Sequence, residues 1–332
     1  MNAAHSNKKL LIISCLVLML CGLNHNSNGW GFWGHQRINK VAVFTLPPGM
    51  LLFYKQNVDW ISQHAVDPDM RRYASKEEAP RHFIDLDRYP KDSMPHNWYR
   101  AVEKYSEDTL KAHGIVPWHI QVWILRLTDA MKMQDKNRIL RYSAELGHYI
   151  ADVHVPLHTT KNYNGQLTGQ VGIHGFWESR IPELLGEDYD YLTGNAGYIE
   201  NPLEYTWDII EQSHAAVDSV LSIEKELSAS FATDKIYAFE ERNGQTLKMY
   251  SSAYTSAYSN KLQGMVERRM RAAILATGSI WYTCWVNAGQ PDLSKATDQI
   301  PEPGNADAEN ESQAKSDKQL GRQHDETGVI NP

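Results

Sequence analysis

Apolar residues recur at intervals of three and four along most of the chain, which is the period of helices that bury one face. The period is clear over residues 118–150, 202–228 and 246–286. Strict alternation of apolar and polar residues, typical of half-buried strands, does not form a convincing set. The pattern predicts an all-α fold, a mostly helical single domain with long loops over residues 46–116 and 159–200.

The first 29 residues depart from this helical pattern. Two lysines precede an apolar run at residues 10–23 and a short polar stretch, which is the order found in secretory signal peptides. The run is too short for a comfortable membrane span. Ser27 and Gly29 are small residues at the positions that a signal peptidase requires. We therefore predict cleavage before Trp30 and a secreted or periplasmic protein, with an uncleaved anchor helix as the alternative.

The last residues of the chain also differ from the middle. Residues 287–332 contain almost no large apolar side chain, so they bury too little surface to offset the entropy of ordering. Three segments result: a signal peptide at 1–29, a helical domain at 30–286 and a disordered polar tail at 287–332. Only Cys284 would remain after cleavage, which excludes an internal disulfide.

The charge balance limits how the protein can meet a nucleic acid. The chain has 33 basic and 40 acidic residues and a formal net charge of −7. A chain this acidic does not hold nucleic acid through a broad basic face. If the substrate is an anion, the positive charge must be local, and bound cations can supply it.

The stretch GHYIADVHVPLH in the middle of the chain combines side chains that bind zinc. On a helix His148 and Asp152 share one face, and a proline then turns the chain so that His158 can approach the same cavity. Downstream, His174 and Glu178 repeat the four-residue spacing. Each pair alone could be an ordinary ion pair, so the prediction of a metal site depends on their joint order.

Further candidates lie upstream of that stretch. In chain order the full set is Trp30, His35, Asp67, His82, His148, Asp152, His158, His174 and Glu178. Its order and spacing resemble those of the three-zinc, single-strand-specific nucleases of fungi and plants, the S-one/P-one nuclease family. Those nucleases share their fold and metal site with bacterial zinc-dependent phospholipases C. The motifs that carry the resemblance span roughly residues 30–180.

The resemblance implies three zinc ions per chain. The implied ligand groups are Asp67, His82, His148 and Asp152; His158, His174 and Glu178; and His35, Asp152 and the amino nitrogen and carbonyl oxygen of Trp30. It also implies a zinc-bridging hydroxide that attacks phosphorus, with Asp67 and Asp152 acting catalytically through the metals they hold. The expected activity is hydrolysis of single-stranded nucleic acid, 3′-nucleotides, or both.

The resemblance also suggests residues that contact the substrate. In the nucleases the Phe and Asp of a His-Phe-Ile-Asp motif bind a base by stacking and hydrogen bonding, and Phe83 and Asp85 match them. The alternative is that Phe83 is a core residue and Asp85 a cap. Asn164, in a loop that departs from the Gly-Gly-Asn of the nucleases, is the third candidate for substrate binding.

One catalytic position of the nucleases has no direct match. They place an arginine three residues after the first aspartate, where it stabilises the transition state. Counted from Asp67 that position is Met70, and Arg71 or Arg72 could replace it through a local shift. We take Arg71 as the candidate.

Two alternatives to a nuclease remain open. Glu178 stands where the phospholipases have Glu and the nucleases usually have Asp, so a phospholipase C that acts on lipid headgroups is the enzymatic alternative. A helical protein whose zincs are structural is the non-enzymatic one. The expected partners are single-stranded nucleic acid or a nucleotide, or else a phospholipid headgroup. We expect no obligate protein partner and a monomer.

Overall fold

The computed structural model describes residues 32–91, 93–242 and 244–298. The predicted signal peptide, Trp30 and most of the predicted tail lie outside the described residues. The helices are α1 (Phe32–Ala42), α2 (Pro48–Gln56), α3 (Val58–Gln63), α4 (Asp67–Arg72), α5 (Trp98–Tyr105), α6 (Glu107–His113), α7 (Val116–Lys132), α8 (Lys136–Asp152), α9 (Ile173–Gly175), α10 (Ile181–Leu185), α11 (Pro202–Ala215), α12 (Val217–Ser230), α13 (Ser252–Lys261) and α14 (Met265–Asn287). A π-helical turn, Phe176–Arg180, joins α9 to α10.

Short 3-10 turns connect several of these helices. They are Val43–Thr45, His64–Val66, Ala79–His82, Leu86–Arg88, Pro156–Thr159, Gly186–Asp188, Thr233–Lys235 and Leu293–Lys295. The prediction of a mostly helical fold is confirmed, since the structure is 68% helical and its described residues form one sheet, of two strands.

The core forms where helices α1, α7, α8 and α14 pack against one another. Each contributes an apolar face, as the three-to-four residue period requires, and Ile38, Leu146, Ile274 and Trp281 are completely buried there. The indole nitrogen of Trp281 donates to the carbonyl oxygen of Ser143, 3.1 Å away, and so ties α14 to α8. This packing holds the C-terminal half of α8 in the interior.

The predicted loop at 46–116 is wrong, because α2 to α6 lie within it. These helices have six to nine residues, too few for a long apolar period, and such short helices are stabilised mainly by tertiary packing. Two of them carry a start signal. The side chain of Asn97 accepts a hydrogen bond from the Arg100 amide, and that of Ser106 accepts one from the Thr109 amide.

The predicted loop at 159–200 is partly correct. Residues 160–172 form turns, whereas the chain is helical from Ile173 to Leu185 through α9, the π-helical turn and α10. A helix that is interrupted after three residues has no long period, which is why the pattern missed it.

The structure also contains a hairpin that the periodicity missed. Strands β1 (Tyr237–Arg242) and β2 (Gln245–Tyr250) pair antiparallel, with Tyr237 opposite Tyr250 and Arg242 opposite Gln245. The dipeptide Asn-Gly at 243–244 is the signal in the sequence that indicates this hairpin.

The domain continues beyond its predicted end at residue 286. Leu293 is 1% exposed. Thr297 forms a β-bridge with Asp135, and the amide of Lys136 donates a hydrogen bond to the Thr297 carbonyl. Within the described part of the chain, no helix combines the length and apolar character needed to cross a membrane.

Candidate metal centre

The C-terminal half of α8 presents His148 and Asp152 on one face, as their four-residue spacing predicts. Both side chains are buried, and His148 Nε2 lies 3.3 Å from Asp152 Oδ2. The other ring nitrogen of His148, Nδ1, is 2.9 Å from the carbonyl oxygen of Ala65. That backbone contact fixes the ring with Nε2 directed at the carboxylate.

His82 and Asp69 complete the first group around His148. His82 Nδ1 lies 3.0 Å from both His148 Nε2 and Asp152 Oδ2. Asp69 Oδ1 is 3.6 Å from His82 Nδ1 and 3.5 Å from His148 Nε2. Asp69, His82 and His148 therefore offer three donor atoms close enough together to hold one cation.

The structure places Asp67 elsewhere than predicted. Asp67 Oδ2 is 2.7 Å from His64 Nδ1, and its side chain is 36% exposed, against 4% for Asp69. The reason is helical geometry: both residues lie on α4, where two positions differ by about 200° around the axis. Only one of the two aspartates can face the centre, and it is Asp69.

Arg71 also lies differently from its predicted catalytic position. Its Nη2 atom is 2.6 Å from Glu145 Oε2 and 3.2 Å from the Tyr149 hydroxyl, so its guanidinium serves an ion-pair network. Burial acts to lower the pKa of Arg71, but the charges of Glu145, Tyr149 and Glu78 and the hydrogen bond to Glu145 together outweigh burial and raise that pKa. Arg72, in contrast, has Nη1 3.4 Å from Asp69 Oδ1. Counted from Asp69, Arg72 is the residue three positions later.

The second group comprises His158, His174 and Glu178. Glu178 Oε2 lies 3.3 Å from His158 Nε2 and 3.0 Å from His174 Nε2. The opposite nitrogens contact backbone: His158 Nδ1 is 2.6 Å from the carbonyl oxygen of His82, and His174 Nδ1 is 3.1 Å from that of Tyr163. Glu178 lies on the π-helical turn, a local distortion that is frequent at functional sites.

The third group consists of His35 and Asp152, and Asp152 also contacts the first group. His35 Nε2 lies 3.4 Å from Asp152 Oδ1, and the His35 ring stacks on His148 with centroids 3.9 Å apart. His35 is 4% exposed, and its Nδ1 has no hydrogen-bond partner among the described residues. Trp30, the other predicted member of this group, lies outside the described residues.

The electrostatics of the centre follow from burying imidazoles and carboxylates together. Burial acts to raise the pKa of Asp152, yet His148 and His158 hold that pKa well below its usual value. Burial also acts to lower the pKa of His82, but the nearby carboxylates of Asp152 and Glu78 raise it to about 9. In the second group, His174 and His158 overcome burial and lower the pKa of Glu178 to about 2.

The donor set fits zinc. Imidazole nitrogens and carboxylate oxygens are its usual ligands, and backbone carbonyls that hold the opposite ring nitrogen are the usual support for a zinc-binding histidine. His148, His158 and His174 each have such support. The buried Nδ1 of His35 is a further donor atom for which the described residues provide no partner.

Comparison with known families agrees with this arrangement. The S1/P1 nuclease family matches residues 30–274, which is most of the chain. The chain belongs to the S1/P1 nuclease family. Among curated proteins no match is found. Membership makes the chain a nuclease-type hydrolase that acts on phosphodiester bonds, and members of this family are metal-dependent.

In this S1/P1 family chain the two predicted base-binding residues lie beneath the surface. Phe83 is 4% exposed and Asp85 is 6% exposed. Main-chain bonds hold their segment on two sides: the Ile84 amide donates to the carbonyl of His158, and the Asp85 amide to that of His113. The predicted motif therefore adjoins the metal-ligand groups through His158.

The side chain of Asn164 is hydrogen-bonded to main-chain amides. Its Oδ1 accepts hydrogen bonds from the amides of Gly172, at 2.9 Å, and His174, at 3.4 Å. Gly172 has φ of +98°, a conformation that favours glycine and lets the loop turn into α9. The Asn164 side chain thus stabilises the N-terminus of α9, the helix that carries His174. The sequence did not indicate this role.

Proposed function

We propose that the chain is a zinc-dependent phosphodiesterase that hydrolyses single-stranded nucleic acid and 3′-nucleotides. The observation that carries this proposal is the position of Asp152. Its Oδ1 faces His35 while its Oδ2 faces His82 and His148, so one carboxylate joins two of the three ligand groups. A carboxylate shared in this way suits a multi-zinc centre better than isolated structural zinc sites.

The second group, of His158, His174 and Glu178, adjoins this centre. His158 contacts the His82 carbonyl with Nδ1, and its positive charge lowers the pKa of Asp152. Zinc ions held by the three groups would supply activated water and positive charge to the reacting phosphate. Such local charge would let a chain with a net charge of −7 bind a phosphodiester.

Protein groups then orient the substrate. Arg72 lies beside Asp69, three residues after it, and its charge acts on His82 in the centre. We assign Arg72, in place of Arg71, to the phosphate of the transition state, because a guanidinium offers paired donors to phosphate oxygens. Phe83 and Asp85 remain our candidates for base binding.

We also propose that the mature chain begins at Trp30. Helix α1 starts at Phe32, two residues after Trp30 in the chain, and places His35 in the centre. The family match begins at residue 30, which supports cleavage there. A free amino group at Trp30 would add a donor to the group of His35 and Asp152. The protein would then be secreted or periplasmic.

The proposal is tested with chain that begins at Trp30. Zinc per chain is counted, and hydrolysis of single-stranded DNA, duplex DNA, RNA, a 3′-nucleotide and phosphatidylcholine is measured side by side. We expect about three zincs, turnover of single strands and 3′-nucleotide, and loss of activity on chelation that zinc reverses. Turnover of phosphatidylcholine alone would show a phospholipase C. Full zinc occupancy with no hydrolysis of any substrate would favour structural zincs.

A further inference from the structure

A buried network of charged side chains lies against the edge of His82 that carries Nε2, the nitrogen opposite the ligand groups. Its charged members are Arg71 on α4, Glu78 just before the turn at Ala79–His82, Arg81 in that turn and Glu145 on α8, and the hydroxyl of Tyr149 on α8 joins them. Both glutamates are almost completely buried, at 2% and 1% exposure. Buried charges are costly unless each is paired, so the network must be well ordered.

Glu78 is the member of this network that reaches the centre. Its Oε1 accepts a hydrogen bond from the Tyr149 hydroxyl and lies 3.5 Å from His82 Nε2. Its Oε2 accepts from Arg81 Nη1 at 2.9 Å and from Arg71 Nε at 3.4 Å. Arginines on one side and the imidazole on the other therefore fix the carboxylate in one orientation.

We propose that Glu78 is a positioning residue that holds His82 with Nε2–H directed at its carboxylate and Nδ1 directed at the metal-ligand groups. The inference rests on the proposed zinc centre and adds a residue that acts through His82, without touching metal or substrate.

The chemistry of imidazole explains why a carboxylate is needed. A neutral histidine carries one proton, and Nδ1 can bind a metal only if that proton is on Nε2. A carboxylate beside Nε2 favours this tautomer and makes Nδ1 a stronger donor, and carboxylates commonly support metal-binding histidines in this way. The other candidate histidines, His148, His158 and His174, have a backbone carbonyl in the same role.

The same network contains a matched control. Glu145 is as buried as Glu78 and also pairs with Arg71, at 2.6 Å, but its second oxygen accepts from Arg141, at 2.9 Å, where Glu78 has His82. Changing either glutamate to glutamine removes one buried charge next to Arg71. A difference between the two variants therefore reports on the contact with His82.

The experiment measures zinc affinity of the chain starting at Trp30, by competition with a chromogenic chelator, for Glu78→Gln, Glu145→Gln and His82→Ala. We expect His82→Ala to abolish binding of one zinc. Glu78→Gln should lower the affinity for that same zinc by about 10- to 100-fold, and Glu145→Gln should leave that affinity close to its value in the unchanged chain. The double variant Glu78→Gln/His82→Ala should bind no more weakly than His82→Ala alone. Equal losses in the two glutamine variants would overturn the proposal.

Two further measurements separate positioning from folding and from the proposed function. If Glu78→Gln does not fold, Glu78→Asp takes its place, because the shorter side chain keeps the charge beside the arginines but withdraws it from His82. Glu78→Asp should still lower the affinity for the same zinc. Unchanged affinity would refute the inference. Nitrogen NMR of the zinc-loaded chain should show His82 protonated at Nε2. These readouts need no substrate, so absent nuclease activity would contradict the proposed function alone.

Discussion

His82 Nδ1 and Asp152 Oδ2 lie 3.0 Å apart, although 70 residues separate them in the chain. The contact brings a 3-10 turn to the end of a core helix, and both side chains are buried. Because the other oxygen of Asp152 faces His35, loss of this carboxylate should disturb two ligand groups at once.

The first prediction is that Asp152→Asn loses both zincs that depend on this carboxylate. The group of His158, His174 and Glu178 does not include Asp152 and should keep its zinc. A bound metal contributes several kcal/mol to transition-state stabilisation, so kcat/KM should fall at least about a hundredfold. Zinc counting by atomic emission, together with hydrolysis of single-stranded DNA, checks this. An unchanged zinc count would contradict the assignment of Asp152 as a shared ligand.

The second prediction distinguishes Asp69 from Asp67. Asp69→Asn should remove a ligand of the first group and lower zinc affinity and kcat/KM at least about tenfold, since even supporting residues of a metal site have effects of that size. Asp67→Asn is the matched control on the same helix and breaks only an exposed contact with His64, worth about 1 kcal/mol or less. The reverse result would restore Asp67 as the ligand.

Asp67 and Asp69 show which part of the metal centre could not be predicted from the sequence. The spacing of His148 and Asp152 specified a helix face, and the structure confirms that the residues meet. The distance from Asp67 to His82 along the chain matches the family spacing, but it crosses turns whose geometry no short motif determines. The burial of one side of α4 selects Asp69. The arginine three residues after Asp69 is the signal in the sequence that indicates the same choice.

The supporting contacts could be predicted even less. The carbonyl of Ala65 that holds His148 and the carboxylate of Glu78 beside His82 depend on chain segments brought together by packing. Long helices were predicted because their apolar period repeats several times. The short helices between 46 and 116 and the hairpin at 237–250 were missed because they lack that repetition.

The third prediction concerns the amino terminus. One extra residue before Trp30, such as a retained Gly29, would convert the free amine into an amide, which does not bind zinc well. We expect such a chain to lose the zinc near His35 and most of its activity, at least about tenfold in kcat/KM. A chain extended at its C-terminus by one glycine is the control. Equal zinc content and activity of both extended chains would argue against a metal-binding terminus.

The last prediction is a pH effect of a histidine that belongs to none of the three ligand groups. His119 Nε2 accepts a hydrogen bond from the Trp123 indole at 2.6 Å, which requires a neutral ring. Burial, and next the charge of Arg81, lower the pKa of His119 well below 6.5. Below pH 6.5 the unfolded chain therefore binds a proton that the folded chain does not, and His119 makes the free energy of unfolding decrease as the pH falls.

His119→Gln should remove this contribution, since glutamine can accept the same indole hydrogen bond without titrating. Between pH 6.5 and 4.5 the free energy of unfolding of the unchanged chain should fall more steeply than that of the variant, by at most about 1.4 kcal/mol per pH unit. Urea unfolding with a chelator present measures both chains without zinc. Parallel pH profiles for the two chains would show that His119 is protonated in the folded state as readily as in the unfolded one.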